Sequence, residues 1–373
     1  MRLPPFTLER YFAQHEFSTE INLCASDCET LAVQELLALE PGASDRLLGM
    51  RLGYTETRGR PSLRQQIARL YSSMGPDNVL VHTSAEEGIL LFMYGLLERG
   101  DHIVVHWPCY QSLHELARGI GCRLTQWMAR EEDGWTLDPR ELERHIRHDT
   151  RVVVLNSPHN PTGWHMPPDV FQEVVKIADK HGVILFSDEV YRGLEHRDAD
   201  RLPAACDVSE RAVSLGGMSK TYGLAGLRIG WVATRNADVI ARMETLKDYT
   251  TICGSAPSEL LAELALRHGD SLAARNRGII AENLAVLTGF FARHADRFSW
   301  QAPKAGPVAF PRLIGGEVGN FCAALARTSG VLLLPGTVYD DSANHFRIGF
   351  GRRNMPDAVA RLEAFLKRNA VVD

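Results

Sequence analysis

Residues 214–231 read SLGGMSKTYGLAGLRIGW and place Lys220 eight residues before Arg228, in a segment rich in glycine and hydroxyl side chains. A lysine amine condenses with an aldehyde to form a Schiff base. Arg228, Ser219 and nearby backbone N–H groups are suited to binding a phosphate. The segment therefore predicts a site for a phosphate-bearing aldehyde. The alternative is a glycine-containing turn before an apolar strand, with Lys220 as a solvated surface charge.

Short β-branched apolar runs alternate with longer amphipathic segments on both sides of this stretch. The alternation predicts an α/β fold in which helices flank a mostly parallel central sheet. The predicted strands are 78–82, 102–106, 123–128, 151–156, 183–187, 212–215 and 228–233, and the helices between them are 86–99, 111–120, 139–147 and 168–181. Asp138 before Pro139 indicates a helix start, and Gly182 indicates a helix end.

The pattern changes after residue 256 to long helices and short, interrupted strands. The predicted elements are helices 258–267, 271–293 and 357–368, with a small sheet over 298–313, 331–335 and 345–349. We predict a smaller α+β domain built from both termini, 1–44 with 286–373, beside a large domain over 45–285.

Composition favours a small-molecule enzyme. The 373 residues exceed what one core usually supports, and 45% hydrophobic with 23% charged content is ordinary for a globular protein. The net charge of −5 and the scattered basic residues indicate no basic patch of the kind that binds nucleic acid. The first 17 residues have no apolar signal region and no run approaches a membrane span, so we expect neither secretion nor membrane insertion.

Seven cysteines form an odd set without CxxC spacing, which favours reduced thiols and a cytoplasmic location. Cys24 and Cys28 lie four apart, but no second Cys or His pair follows at zinc-finger spacing. We interpret both as structural residues and predict no metal site.

Polar side chains follow two of the predicted strands, at the sheet edge where ligands of open parallel sheets bind. Asp188 follows run 183–187, with Tyr191 three residues later, and Asn160 lies in the loop NSPHNPTG after run 151–156. Pyridoxal phosphate is a phosphate-bearing aldehyde, and a buried carboxylate would keep its pyridine nitrogen protonated. Tyr191 and Asn160 would hydrogen-bond its phenolic oxygen. The alternatives are a helix N-cap for Asp188 and ordinary turn chemistry for Asn160.

The segment HTSAEEG after run 78–82 leads into a helix and offers a second phosphate contact. The amides of Ala85 and Glu86, with the hydroxyl of Ser84, would meet the phosphate at the positive end of that helix. Ser84 with Glu87 three residues on also fits a capping box.

Taken together, the chain resembles a fold-type I pyridoxal-phosphate enzyme of the class I and II aminotransferase family, with motifs in family order from Tyr54 to Arg347. The resemblance implies that Lys220 is the Schiff-base lysine and proton shuttle, and that Asp188 pairs with the pyridine nitrogen. It further implies that Tyr110, in WPCY, stacks on the ring, while Tyr191 and Asn160 contact the ring oxygen.

The resemblance also assigns the phosphate and substrate contacts. The implied phosphate contacts are Ser84, the amides of Ala85 and Glu86, Ser219, Arg228, and Tyr54 of a neighbouring subunit in a homodimer. Arg347, in HFRIGFG, matches the arginine that clamps the substrate α-carboxylate with help from Asn160, a bidentate task suited to a guanidinium. Ser26, in LCASD, corresponds to a segment that lines the carboxylate pocket.

The chain departs from the family pattern at a few positions. Gly217 stands three residues before the lysine, where many members have a phosphate-binding Ser or Thr, and Ser157 replaces a common Asn. At the phosphate helix, where small residues are common, the side chain of Glu86 is expected to point away.

The function implied is an aminotransferase that moves an amino group between an L-amino acid and a 2-oxo acid. One alternative is a carbon–sulfur lyase or cyclase acting on a β- or γ-substituted amino acid with the same cofactor. A second is a non-catalytic, ligand-responsive regulator, against which the intact set of Lys220, Asp188, Tyr191 and Arg228 argues. The identity of the amino acid and the oxo acid stays open.

Overall fold

The computed structural model describes residues 3–369. Helices α1 to α14 span Thr7–His15, Val33–Leu37, Ala43–Leu48, Pro61–Ala68, Ser84–Leu96, Ser112–Ile120, Pro139–His145, Pro168–His181, Ala205–Val208, Ala237–Lys247, Ala256–Arg267, Gly269–Arg293, Val318–Ser329 and Met355–Asn369. Strands β1 to β14 span Ile21–Asn22, Val79–Thr83, His102–Trp107, Arg123–Met128, Thr150–Asn156, Ile184–Asp188, Ala212–Gly217, Ile229–Ala233, Phe298–Ser299, Val308–Ala309, Arg312–Leu313, Val331–Leu332, Leu334–Pro335 and Phe346–Gly349.

A seven-stranded sheet with the order β2-β8-β7-β6-β5-β3-β4 lies at the centre of the molecule. The pairs from β4 through β7 are parallel, whereas β8 runs antiparallel to both β7 and β2. Its inner strands read as nearly continuous apolar runs because both faces of the sheet are covered. The predicted α/β fold with a mostly parallel central sheet is confirmed.

Local sequence signals set several helix ends. The side chain of Asp138 accepts a 2.9 Å hydrogen bond from the Arg140 N–H, with Pro139 as the first residue of α7, and α8 ends at Gly182 with φ 67°. The predicted capping box of Ser84 and Glu87 is wrong. Thr83 is the N-cap of α5, and its own N–H donates to the Glu87 carboxylate.

Segments from both ends of the chain meet in a second region. Strand β1 pairs in parallel with β12, while β10, β14 and β13 form a three-stranded sheet. The side chains of Ile21, Phe290, Phe346 and Leu362 share one apolar core, which joins the N-terminal segment to the end of α12, to β14 and to α14. The limits of the two domains stay a prediction.

Two further features bear on the cell biology of the chain. Across residues 3–369, no helix is both long enough and apolar enough to cross a membrane. All seven cysteine thiols are free, and five of them are buried.

Candidate active site

The carboxyl ends of three neighbouring strands open into one cavity of about 390 Å³. Asn156 ends β5, Asp188 ends β6 and Gly217 ends β7, and all three line the cavity. The cavity brings together every site residue predicted from the sequence except Tyr54: Ser26, Ser84, Ala85, Glu86, Tyr110, Asn160, Asp188, Tyr191, Ser219, Lys220, Arg228 and Arg347. Tyr54 lies outside it and is 93% exposed in the single chain.

Lys220 lies in the loop after β7 and directs its amine into the cavity. The side chain is half-buried, and its Nζ donates a 2.8 Å hydrogen bond to the Ser26 hydroxyl. Burial lowers the pKa of Lys220 and the nearby Arg347 adds to the lowering, while Asp27 and Asp188 oppose it. Lys220 is therefore an amine that loses its proton more readily than a solvated lysine, and the surface-charge alternative is wrong.

Asp188 is a buried carboxyl group, 6% exposed, at the end of β6. Its Oδ1 accepts a 3.2 Å hydrogen bond from the Val190 N–H, and no Lys, Arg or His in residues 3–369 forms an ion pair with it. Burial raises the pKa of Asp188 to about 7, against the smaller opposing effects of the Val190 N–H and Lys220. A cation placed beside this carboxyl would restore its ionised form.

Asn156 connects Asp188 to the loop that carries Asn160. Its Nδ2 donates a 3.0 Å hydrogen bond to the Asp188 carbonyl, and its Oδ1 accepts a 2.8 Å bond from the Asn160 N–H. Because Asn156 is buried, these two bonds fix the ends of β5 and β6 relative to each other. In the sequence Asn156 is only the last residue of a predicted strand, and no motif indicates this role.

Arg347 projects from β14 into the cavity and is only 1% exposed. Its Nε and Nη2 donate to the Cys24 carbonyl at 3.1 and 2.8 Å, and its Nη1 donates to Asn160 Oδ1 at 3.1 Å. No carboxylate in the described residues forms an ion pair with it. A fixed, buried cation of this kind is suited to an anionic ligand.

Tyr339 is a further contact of Arg347 and Asn160 that the sequence did not reveal. Its hydroxyl hydrogen-bonds both the Arg347 guanidinium and Asn160 Oδ1, the latter at 3.1 Å. The surrounding GTVYDD segment has no motif that would have indicated this position. Tyr339 restrains both side chains.

Tyr191 lines the cavity, but its hydroxyl is held by a hydrogen bond. Its hydroxyl donates a 3.0 Å hydrogen bond to the Ser26 carbonyl, and burial raises its pKa. Ser26 thus contacts both Tyr191, through its backbone, and Lys220, through its side chain.

The start of α5 lines one part of the cavity with Ser84, Ala85 and Glu86. Ser84 is buried with φ 64°, and Gly230 packs so closely that a Cβ there would lie 2.5 Å from the Ala85 nitrogen. Arg228 is exposed and reaches this region with its Nη1 bonded to the Ala225 carbonyl at 3.1 Å. A Cβ on Gly217 would meet its nearest neighbour, the Ile229 carbonyl oxygen, at 3.4 Å, which is an ordinary van der Waals contact.

The side chain of Glu86 lies against α6, and its orientation relative to the phosphate stays a prediction. Its Oε2 accepts a 3.2 Å hydrogen bond from the Ser112 hydroxyl. Burial raises the pKa of Glu86 to about 7, and the charges of Glu9 and Asp188 add to the rise. Ser112 holds the carboxyl at the cavity, and the spacing of residues in the sequence did not indicate this contact.

Helix α1 covers one side of the cavity and contributes Leu8, Glu9 and Phe12 to its lining, and Glu16, the residue after the helix, lines it too. It is anchored by the Tyr11 hydroxyl on the Leu333 carbonyl at 2.7 Å and by its first N–H on the Gln111 side chain at 2.8 Å. This helix and its cavity-lining residues were not predicted from the sequence.

The model of the family "Aminotransferase class I and II" matches residues 18–362. The chain belongs to this family. Capreomycidine synthase of Streptomyces vinaceus is 31% identical over 355 residues, 93% of this chain and 90% of that protein.

Two solved structures resemble this aminotransferase-family chain over nearly its whole length. A pyridoxal-phosphate-dependent aminotransferase from Streptococcus suis has a TM-score of 0.92 at 31% identity and covers 99% of both chains. The pyridoxal-phosphate-dependent cyclase OrfR has a TM-score of 0.91 at 30% identity and covers 99% of this chain and 98% of its own. The predicted family and its pyridoxal-phosphate dependence are confirmed.

Proposed function

We propose that this family member is an aminotransferase that moves an amino group between an L-amino acid and a 2-oxo acid. One observation carries the proposal: the amine of Lys220, the unpaired carboxyl of Asp188 and the fixed guanidinium of Arg347 line the same cavity. An amine, an acid and a cation are the groups needed to bind the cofactor aldehyde, its ring nitrogen and a substrate carboxylate. The buried carboxyl without a cationic partner is the feature that best fits the ring nitrogen.

The cavity residues divide into two groups around the cofactor. In the proposal Lys220, Asp188, Tyr191, Asn160 and Tyr110 surround the ring. The phosphate contacts are Ser84, Ser219, Arg228 and the amides of Ala85 and Glu86, completed by Tyr54 of a second subunit. When bound, pyridoxal phosphate supplies an electron-withdrawing ring that stabilises negative charge at the substrate α-carbon.

Arg347 orients the substrate in this mechanism. Its two bonds to the Cys24 carbonyl fix the guanidinium plane. A carboxylate would accept the remaining N–H of Nη2 and would replace Asn160 or Tyr339 on Nη1 for a second bond. Asn160 and Tyr339 hold the same side chain from another direction, and Ser26 closes the pocket beside it.

Lys220 moves the proton. Its amine, with a pKa lowered by burial, takes the proton from the substrate Cα as general base. The net reaction converts the first amino acid to its 2-oxo acid and a second 2-oxo acid to its amino acid, so nitrogen and protons balance over the two halves.

A cyclase is the second candidate, favoured by the similarity to capreomycidine synthase and to OrfR. Removal of the same α-proton by Lys220 would then be followed by loss of a β- or γ-substituent and ring closure, with the amino nitrogen retained on its original carbon skeleton. A carbon–sulfur lyase would share that first step.

A nitrogen-label experiment separates these reactions. Cofactor-loaded enzyme is given ¹⁵N-labelled amino acids with pyruvate or 2-oxoglutarate, and the products are resolved by mass spectrometry. Transamination predicts label in the new amino acid, matched one to one by the 2-oxo acid of the first. Label that stays with its original carbon skeleton in a dehydrated product would overturn transamination in favour of the cyclase. Cofactor binding without turnover of any amino acid would support the regulator.

A cytoplasmic homodimer completes the proposal. The free thiols support a reducing location. The exposed apolar side chains of Leu48, Leu52, Tyr54, Tyr249 and Ile252 support a subunit interface, since single chains seldom leave so many large apolar groups in water.

A further inference from the structure

One wall of the cavity is acidic. Glu9 and Glu16 line it from α1 and the residue that follows this helix, and Glu86 lines it from the first turn of α5. Glu9, Phe12 and Glu16 are separated by three and four residues, so they share one helix face. That face is turned to the cavity that also contains Lys220.

Tyr110 brings two of these carboxyl groups together. Its hydroxyl donates a 3.5 Å hydrogen bond to Glu9 Oε1, and Tyr110, Glu9 and Glu86 line the same cavity. Glu9 lies close enough to Glu86 to raise the pKa of its carboxyl, so the two acids repel each other when both are ionised. Neither forms an ion pair with any residue of the described range 3–369, so no protein cation offsets the repulsion.

The cations of the cavity have other partners. Arg352 is bound by the Asp27 carboxylate through two hydrogen bonds of 3.0 Å. In the proposed function Arg347 takes the substrate carboxylate, Arg228 takes the phosphate and Lys220 is the reacting amine. Once those anions are bound, the acidic wall is left as an excess of negative charge.

We propose that the substrate is an amino acid whose side chain carries a positive charge, a guanidinium or an alkylammonium, bound between Glu9 and Glu86. The inference rests on the proposed function, because Arg347 and Lys220 fix the α-carboxylate and the α-amino group in the same cavity. A planar guanidinium with five N–H donors can reach two carboxylates at once. An acidic side chain would meet like charges at this wall and is excluded.

L-Arginine and L-citrulline form a matched pair for the test, because they have nearly the same shape and only arginine is charged. With cofactor-loaded enzyme we expect kcat/KM for arginine, or for lysine if the ammonium is preferred, to exceed that for citrulline by at least about tenfold, the usual effect of a hydrogen bond to a charged group. Glu86→Gln and Glu9→Gln should each reduce this ratio severalfold, and the double variant should bring it close to one. Glu282→Gln, an exposed change on α12, should leave the ratio as it is.

Equilibrium binding to cofactor-loaded Lys220→Ala protein, measured by calorimetry, gives a readout that does not require turnover. Tighter binding of arginine than of citrulline, lost in Glu86→Gln, supports the inference even if no amino acid is converted, in which case only the proposed function fails. Efficient turnover of neutral amino acids with equal affinity for arginine and citrulline would overturn the inference and leave the proposed function standing. Retention of the full preference in the double variant would also overturn it.

Discussion

The amine of Lys220 donates a 2.8 Å hydrogen bond to the hydroxyl of Ser26, 194 positions earlier in the chain. The carbonyl of the same serine accepts a 3.0 Å bond from Tyr191. Ser26 therefore holds the N-terminal segment against the loops that follow β6 and β7, and it orients the amine on which the proposed chemistry depends.

We expect Ser26→Ala to lower kcat about three- to tenfold, the usual cost of one lost hydrogen bond. The fold should persist, because the bond from Tyr191 uses the backbone carbonyl. Steady-state kinetics test this, with far-UV circular dichroism as the check on folding and Ser18→Ala, an exposed change near the end of α1, as the control. An unchanged kcat in Ser26→Ala would contradict a role for this bond.

Because of the Asp188 carboxyl, we expect the free energy of unfolding of the cofactor-free protein to depend on pH. Burial raises its pKa to about 7 from a normal 3.8. Between these values the folded chain keeps a proton that the unfolded chain has released, so this group makes the folded state lose stability as the pH rises through that interval. We expect Asp188→Asn to remove the loss.

Urea unfolding of both cofactor-free proteins at about pH 5 and about pH 8 measures the effect. The difference in the free energy of unfolding, Asn variant minus wild type, should be more positive at about pH 8 than at about pH 5. A difference between the proteins that does not change with pH would contradict the raised pKa.

His159 links two loops of the site. Its Nε2 lies 2.7 Å from the Pro108 carbonyl, which can only accept, so Nε2 carries the proton and Nδ1 accepts from the Thr162 hydroxyl at 2.7 Å. Burial lowers the pKa of His159 to about 3, so the ring stays neutral. It ties the turn that carries Tyr110 to the loop that carries Asn160.

We expect His159→Leu to cost about 2–5 kcal/mol in the free energy of unfolding, because two buried polar groups lose their partner, and to weaken cofactor binding. Urea unfolding and a cofactor titration measure both quantities. The exposed His148→Leu is the control and should change stability by no more than about 0.5 kcal/mol. Equal unfolding midpoints for the two variants would refute the link.

We predict that Tyr54 completes the active site of a neighbouring subunit. Its full exposure in the single chain leaves its side chain free to reach a second copy. If it serves the partner's site, co-expressed Lys220→Ala and Tyr54→Phe chains will form heterodimers with one intact site, so activity will exceed that of either parent variant. No recovery, with dimers verified by sedimentation, would show that Tyr54 does not act across an interface.

Much of the site was predictable because the groups concerned follow strands. Asp188 directly follows an apolar run, Asn160 and Lys220 lie in the loops after two others, and parallel strands bring their carboxyl ends to one edge. Motif spacing therefore located them without any knowledge of tertiary contacts.

Other contacts depend on packing between distant segments and had no local signal. Tyr339 meets Asn160 across 179 positions, and Glu86 is held at the cavity by Ser112 from the next helix. The position of Glu9 over the cavity is set by the docking of α1, whose anchors on Leu333 and Gln111 cannot be read from its own sequence. The side-chain wall that bears on substrate choice therefore became visible only in three dimensions.

The most direct test of the central claim is to trap the cofactor on the lysine that binds it. The protein loaded with pyridoxal phosphate is reduced with borohydride, digested and mapped by mass spectrometry. We predict one modified site, Lys220. Lys247, which is fully buried and whose amine donates to the Ile252 carbonyl at 3.1 Å, should stay unmodified. Modification at Lys247 or another lysine with Lys220 unmodified, or no adduct at all, would contradict the account.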